Sequence, residues 1–160
     1  MGTEIERKFL VRDPSIVEGA RGTRIAQGYL AHAPEATVRV RIRDDEAFLT
    51  VKGLTRGVRR SEFEYAVPED DAREMLELCP AGRIEKTRYE IPVGDHVWEV
   101  DVFHGDNDGL VLAEVELADE NEAPEMPSWL GREVSGDPRY FNSNLSLTPW
   151  SPEWEDQHSG

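Results

Sequence analysis

The sequence predicts a mainly β fold: an eight-stranded antiparallel sheet, closed or nearly closed into a barrel, with a few helices packed outside. Three observations lead there. Apolar and polar residues alternate with period two in eight short segments bounded by turn residues, only one stretch carries a clear helical stripe, and no fixed-period repeat or low-complexity tract interrupts the pattern. At 160 residues and 18.1 kDa the chain suits one domain, over 1–149, followed by a mobile tail over 150–160.

The first strand is Thr3 to Val11, with Glu4, Glu6 and Lys8 on one face and Ile5, Phe9 and Val11 on the other. Asp13-Pro14 breaks it, and Arg24 to Ala31 follows with Gln27 and Tyr29 on one face. In Thr37 to Arg43, Arg39, Arg41 and Arg43 alternate strictly with Val38, Val40 and Ile42. An Asp44-Asp45 turn leads into Ala47 to Lys52, and Ser61 to Val67 sets Glu62 and Glu64 against Phe63, Tyr65 and Val67. A helix then starts at Pro68 with acids at 69–71, carries Met75, Leu76, Leu78 and Cys79 as an apolar stripe, and stops at Pro80. Strands resume at Arg83 to Ile91 with Lys86 and Arg88 in phase, Val97 to Phe103 with Glu99 and Asp101 in phase, and Leu110 to Leu117 with Glu114 and Glu116 in phase. Residues 119–127 read as an acidic loop with at most a helical turn, and 137–147 as a short closing helix.

Composition excludes several classes. With 18 basic and 33 acidic residues the net charge is -15, so the mean surface field repels polyanions and nucleic acid is not an expected partner. A concentrated basic cavity can still coexist with that exterior. The single Cys79 forms no internal disulfide, and the opening residues lack a basic stretch followed by a long apolar one, so the expected setting is cytoplasmic. No apolar run approaches the ~20 residues that cross a bilayer, and no membrane association is expected.

The informative feature is which charges alternate. Solvated outer faces of half-buried strands are what antiparallel sheets normally present. Two details tell against that here. The only lysines, Lys8, Lys52 and Lys86, all fall on the charged face of a strand, and the Arg39/Arg41/Arg43 row stacks like charges at ~7 Å spacing, as Glu62/Glu64 and Glu114/Glu116 do with opposite sign. Such rows destabilise a sheet unless counter-ions bind them. In a closed eight-stranded barrel the charged face turns inward, around a space just wide enough for side chains or one small ligand. Carboxylate rows without His or Cys clusters suit hard cations such as Mg²⁺ or Mn²⁺, and Arg and Lys on neighbouring strands suit phosphate oxygens. The fitting guest is a metal-bound polyphosphate.

These residues resemble a known family. Glu4-Ile5-Glu6-Arg7-Lys8 is similar to the E-x-E-x-K signature of the CYTH superfamily, the triphosphate tunnel metalloenzymes, and further matches follow in the family's order. They are Gln27-Gly28-Tyr29-Leu30, Val38-Arg39-Val40-Arg41, Thr50-Val51-Lys52, Glu62-Phe63-Glu64, Lys86-Thr87-Arg88, Trp98 to Phe103 and Leu112 to Leu117, with Trp129-Leu130-Gly131 and Tyr140-Phe141-Asn142 later. The resemblance implies that Lys8, Arg39, Arg41, Lys52, Lys86 and Arg88 hold phosphate oxygens. It also implies that Glu4, Glu6, Glu62, Glu64, Glu114 and Glu116 ligate a divalent metal, Mg²⁺ or Mn²⁺, with Asp101 a weaker candidate. Glu4, Glu6, Lys8 and Lys86 are then the catalytic group, in phosphoryl transfer from a small-molecule triphosphate to water. The short form is most similar to the bacterial inorganic triphosphatases, as monomer or homodimer. Adenylate cyclase and thiamine triphosphatase use the same tunnel, and a non-catalytic polyphosphate-binding module is the alternative of another class. No Ser/His/Asp or Cys/His nucleophile is needed: His32, His96, His104 and His158 read as surface residues, Cys79 as core, and the tryptophans as packing.

Overall fold

The structure is a computed structural model that describes residues 3–156. Its strands are β1 (Thr3–Val11), β2 (Gly22–His32), β3 (Ala36–Arg43), β4 (Glu46–Gly53), β5 (Arg59–Val67), β6 (Ile84–Val93), β7 (His96–Phe103), β8 (Val111–Glu116) and β9 (Leu130–Glu133). Helix α1 spans Glu69–Leu78, and single helical turns follow at α2 (Asn142–Leu145) and α3 (Glu153–Asp156). The hydrogen-bonding order is β5-β4-β3-β2-β6-β7-β8-β1-β9, and β5 also pairs with β1. Eight antiparallel strands therefore close a barrel, and β9 is an addition to it. Closure is short, since β5 meets β1 only over Thr3–Ile5 and β9 pairs with β1 from Phe9 to Val11.

Period-two alternation places the hydrophobic core outside the barrel. Ile5, Phe9, Trp98, Val100, Ala113 and Val115 pack together on the outer face of β1, β7 and β8. Trp98 is wholly buried there, edge-on to Phe9 at 5.6 Å and to Trp129 at 5.9 Å. A second cluster packs Val40, Ile42 and Ala47 under Ala72 and Leu76 of α1. That helix has no side-chain cap, and Glu69, Asp70 and Asp71 in its first turn favour the positive end of its dipole. It lies so close to β2 that a Cβ on Gly28 would stand 2.7 Å from Cys79 Sγ. The third cluster, Ile84, Phe103, Leu110, Leu112, Val134, Tyr140 and Leu145, seats the C-terminal segment on the barrel.

Several expectations change. Strand β9 falls between the expected loop and the expected closing helix, where no element was expected, since its four residues carry one buried apolar side chain and their register comes from contact with β1. The expected helix over 137–147 is instead a 3-10 turn at Pro138–Tyr140 and α2, separated by extended Phe141 (φ −70, ψ 133). Leu78, placed in the apolar stripe of α1, is 73% exposed. In the stretch 150–160, Trp150 N–H donates to Asn107 Oδ1 at 2.8 Å, Trp150 Nε1 donates to Glu155, and Trp154 stands edge-on to Tyr140 at 5.5 Å. His158 lies outside the described residues. His32 is exposed, whereas His96 and His104 are half-buried against Glu122 and Thr87. No helix among the described residues is long and apolar enough to cross a membrane.

Candidate functional site

The inward faces enclose a cavity of about 160 Å³. Strand β1 contributes Glu4, Glu6 and Lys8, β3 Arg39 and Arg41, β4 Lys52, β5 Glu62 and Glu64, β6 Lys86 and Arg88, and β8 Glu114. All the site residues read from the sequence thus meet in one place except Glu116. That residue faces Glu6 across the β1–β8 ladder, but it ends β8, is exposed and does not line the cavity. Alternation alone could not distinguish a tunnel-lining position from one at the strand's end. Arg43 likewise stays outside, paired with Glu46 at 3.7 Å over the Phe48 ring.

Cross-strand register pairs opposite charges. Lys8 stands opposite Glu114, Lys52 opposite Glu62, and Arg88 opposite Asp101. Lys52 Nζ reaches Glu4 at 3.2 Å and Glu62 at 3.5 Å, and Arg39 reaches Glu64 at 3.6 Å. Asp101, 2% exposed and behind the lining, takes Lys86 Nζ on one oxygen and Arg88 Nε on the other, both at 2.8 Å. Both its oxygens are committed, which removes it from the candidate metal ligands. Arg39 Nε is buried with no hydrogen-bond partner. An orphaned guanidinium N–H is costly unless a ligand oxygen fills it.

Burial and neighbouring charge divide the ionisable groups. Burial raises Glu4 above the usual carboxylate range despite Lys52, with Glu62 adding to the rise. Burial raises Glu6 well above it, helped by Glu114 and Glu4. Burial opposes ionisation of Glu114 as well, but Lys8, the hydrogen bond with Glu6 and Arg88 outweigh it and hold that carboxyl well below the ordinary value. Of the Glu6–Glu114 pair, Glu6 is therefore the member that takes up a proton first as pH falls. Asp101 is brought to about 2, because Arg88 and Lys86 overcome its burial. Burial, then Arg39 and Arg88, push Arg41 down to about 9, still charged at neutral pH. Burial lowers Lys86 to about 7 against the pull of Asp101.

Among the described residues no three His, Cys, Asp or Glu side chains gather round one point. The carboxylates meet in pairs instead, Glu4 hydrogen-bonded to Glu62 and Glu6 to Glu114. Paired all-oxygen groups in which one member raises the other's pKa fit a hard cation, which neutralises both. Mg²⁺ in particular is held by one or two carboxylates plus substrate phosphates and water rather than by a full protein cage.

The sequence reading assigned no role to several lining residues. Glu99, Arg60, Tyr29, Phe141 and Asn142 all line the cavity. Lys8 Nζ and the Arg60 guanidinium lie over the Phe141 ring at 5.6 and 5.9 Å, and Lys8 Nζ also donates to the Tyr140 carbonyl at 3.2 Å. Gln27, wholly buried, bridges Arg41 and Asn142. Glu99 and Tyr29 were visible as inward positions of their strands. Phe141 and Asn142 lie on no strand and carry no period-two signal; only the Tyr140-Phe141-Asn142 match to the family marked them in the sequence. Cys79 is half-buried outside the tunnel, with its thiol pushed up by burial.

Comparisons with known proteins agree with this geometry. The family model for the CYTH domain matches residues 2–143. An inorganic triphosphatase of Acetivibrio thermocellus is 48% identical over 151 residues, covering 94% of this chain and 97% of that protein. One from Nitrosomonas europaea is 37% identical over 153 residues, covering 91% and 98%. A solved inorganic triphosphatase structure matches with TM-score 0.65 and 34% identity, covering 92% of this chain and 97% of that one.

Proposed function

The chain belongs to the CYTH domain family, and on that premise we propose that it hydrolyses the terminal phosphoanhydride of inorganic triphosphate inside the tunnel. The observation that carries the reading is the unpaired Arg39 Nε in a cavity walled by Lys8, Arg41, Lys52, Lys86 and Arg88. Seven cations around one cavity, these six and Arg60, match a chain of phosphoryl groups, and the orphaned donor lacks only an acceptor. Tyr29, Val58 and Phe141 are the large apolar or aromatic side chains in the lining, too few to enclose a nucleobase, so an unesterified triphosphate fits better than a nucleotide.

In this reading Arg39 and Arg41 grip phosphate oxygens through their planar forks, and Lys8, Lys52, Lys86 and Arg88 fix the chain along the tunnel. Docking a polyanion favours the ammonium form of Lys86, which then stays charged against the terminal phosphoryl group. Glu4, Glu6, Glu62, Glu64 and Glu114 are the residues that would hold a divalent cation, Mg²⁺ or Mn²⁺, whereas Glu116, exposed at the end of β8, lies outside the lining. The bound ion would supply charge neutralisation and a water of lowered pKa. The protein's own contribution is positioning and a charged, preorganised site around the transferring phosphoryl group. Glu6, as carboxylate, lies on the same strand as Lys8 and can order the attacking water.

The test is turnover of tripolyphosphate, ATP and thiamine triphosphate by one purified sample, with Mg²⁺ or Mn²⁺ and with EDTA. Phosphate release from tripolyphosphate should exceed that from either ester and stop in EDTA. A sample that binds tripolyphosphate yet releases no phosphate with either metal would overturn hydrolysis in favour of a binding module.

A further inference from the structure

Asn142, on the turn α2, is where the C-terminal segment meets the buried lysine of the tunnel. Its Oδ1 accepts from Lys86 Nζ at 2.9 Å and from Gln27 Nε2 at 3.1 Å. Gln27 in turn accepts from Arg41 Nε at 2.8 Å through its Oε1. Two neutral amides thus connect a cation on β3 with a cation on β6. The direction of this relay is forced. Lys and Arg offer only donors, so each amide must turn its oxygen to its cation, and the Gln27 nitrogen is left to reach Asn142.

Lys86 is 1% exposed, and its other polar partner is Asp101 at 2.8 Å. A carboxylate draws the ammonium toward the wall and cancels its charge. An amide oxygen holds it without cancelling anything. Building on the triphosphatase reading, we propose that Asn142, backed by Gln27, is a positioning residue that keeps the Lys86 ammonium presented to substrate phosphate instead of collapsed onto Asp101.

The groups around Lys86 are Asp101 and the Phe103 ring from β7, Arg88 from its own strand, Arg41 from β3 and Glu114 from β8. Asn142 adds a neutral acceptor that favours the charged amine. Removing it should lower the Lys86 titration midpoint from its value of about 7, and a carboxylate in its place should raise it. A role confined to packing would produce no such opposition.

The chain has three lysines, Lys8, Lys52 and Lys86, so a spectrum of Lys86→Arg assigns the Lys86 ε-carbon signal in NMR of metal-free, substrate-free protein. The expected result is a midpoint shifted to lower pH in Asn142→Ala and to higher pH in Asn142→Asp. The alkaline limb of kcat/KM for tripolyphosphate should follow each shift, and kcat/KM of Asn142→Ala at pH 8 should fall roughly 10–100-fold with a near-native melting temperature. Midpoints that stay put, or move the same way in both variants, overturn the proposal. So does a pH-independent loss of rate that tracks a fallen melting temperature. If the midpoints split but wild type does not hydrolyse tripolyphosphate, the functional reading fails while the positioning of Lys86 by Asn142 stands.

Discussion

The two walls of the tunnel use the same charges in different states of completion. On β6 and β7, Lys86, Arg88 and Asp101 are closed into ion pairs of 2.8 Å at side-chain exposures of 1%, 11% and 2%. Across the tunnel on β3 to β5, Arg39 meets Glu64 at 3.6 Å and Lys52 meets Glu62 at 3.5 Å, the carboxylates being 44% and 31% exposed. The depth of the carboxylates explains the difference, since Arg39 and Lys52 are themselves only 7% and 16% exposed. Charges without water need partners in the fold itself, whereas charges near the mouth stay solvated until a ligand replaces the water. The Asp101 pairs are therefore part of the folded protein's own stability, whereas the Glu62 and Glu64 pairs contribute little to it.

The largest effect should come from breaking the Asp101 pairs. Asp101→Asn leaves Lys86 and Arg88 buried with a weakened partner and should cost about 3–5 kcal/mol of stability, measured by denaturant unfolding. Glu64→Gln across the tunnel should cost under about 1 kcal/mol. Equal losses would erase the distinction between the walls. Next comes Glu6→Gln, which should cut turnover by at least ~100-fold, or about 2.7 kcal/mol, while calorimetry in EDTA shows tripolyphosphate binding retained or strengthened. Glu116→Gln should lose less than Glu114→Gln, because Glu116 is not in the cavity. Arg39→Ala should weaken binding roughly 10–150-fold, about 1.5–3 kcal/mol, with no loss of folding stability, since its arginine row repels itself.

The smallest effect is a pH dependence of the metal-free protein. Glu4, Glu6 and Glu99 are raised mainly by burial, so the folded protein holds protons that the unfolded chain releases near 4.5. Their contribution to stability is complete below that value and is lost as pH rises through their folded pKa values. Asp101 and Glu114 are depressed, so their contribution is present above their ordinary values and is lost as pH falls, near 2 for Asp101. Melting temperature without metal should therefore decline from mild acid toward neutral pH, and above 7 the depressed Lys86, at about 7, sheds its proton in the folded protein before the unfolded chain does and opposes any further decline. A flat profile over that range would show that the carboxylate pairs are not strained.

Strands β1 to β8 were legible because each alternates polar against apolar side chains, with charges on the polar face of all but β2, and that same alternation delivered the tunnel-lining cations and carboxylates. The rest depends on contacts that have no period. Strand β9 owes its place to β1, where a Cβ on Gly131 would come within 3.3 Å of the Leu10 carbonyl oxygen. Asn142 reaches Lys86 only because Leu145 and Tyr140 bury the C-terminal segment against Ile84 and Phe103. Gln27 lay in view on β2, but a neutral amide between two cations carries no mark in a charge pattern.

The most direct measurement is a crystal structure with a non-hydrolysable triphosphate and Mn²⁺, located by its anomalous signal. Phosphate oxygens should lie within hydrogen-bond distance of Arg39 Nε and of Lys86 Nζ, with Mn²⁺ on carboxylates that include Glu6 or Glu114. The Lys86–Asp101–Arg88 pairs should keep their distances while Arg39 and Glu64 move. A triphosphate seated outside the barrel, or Mn²⁺ on none of these glutamates, would contradict the account.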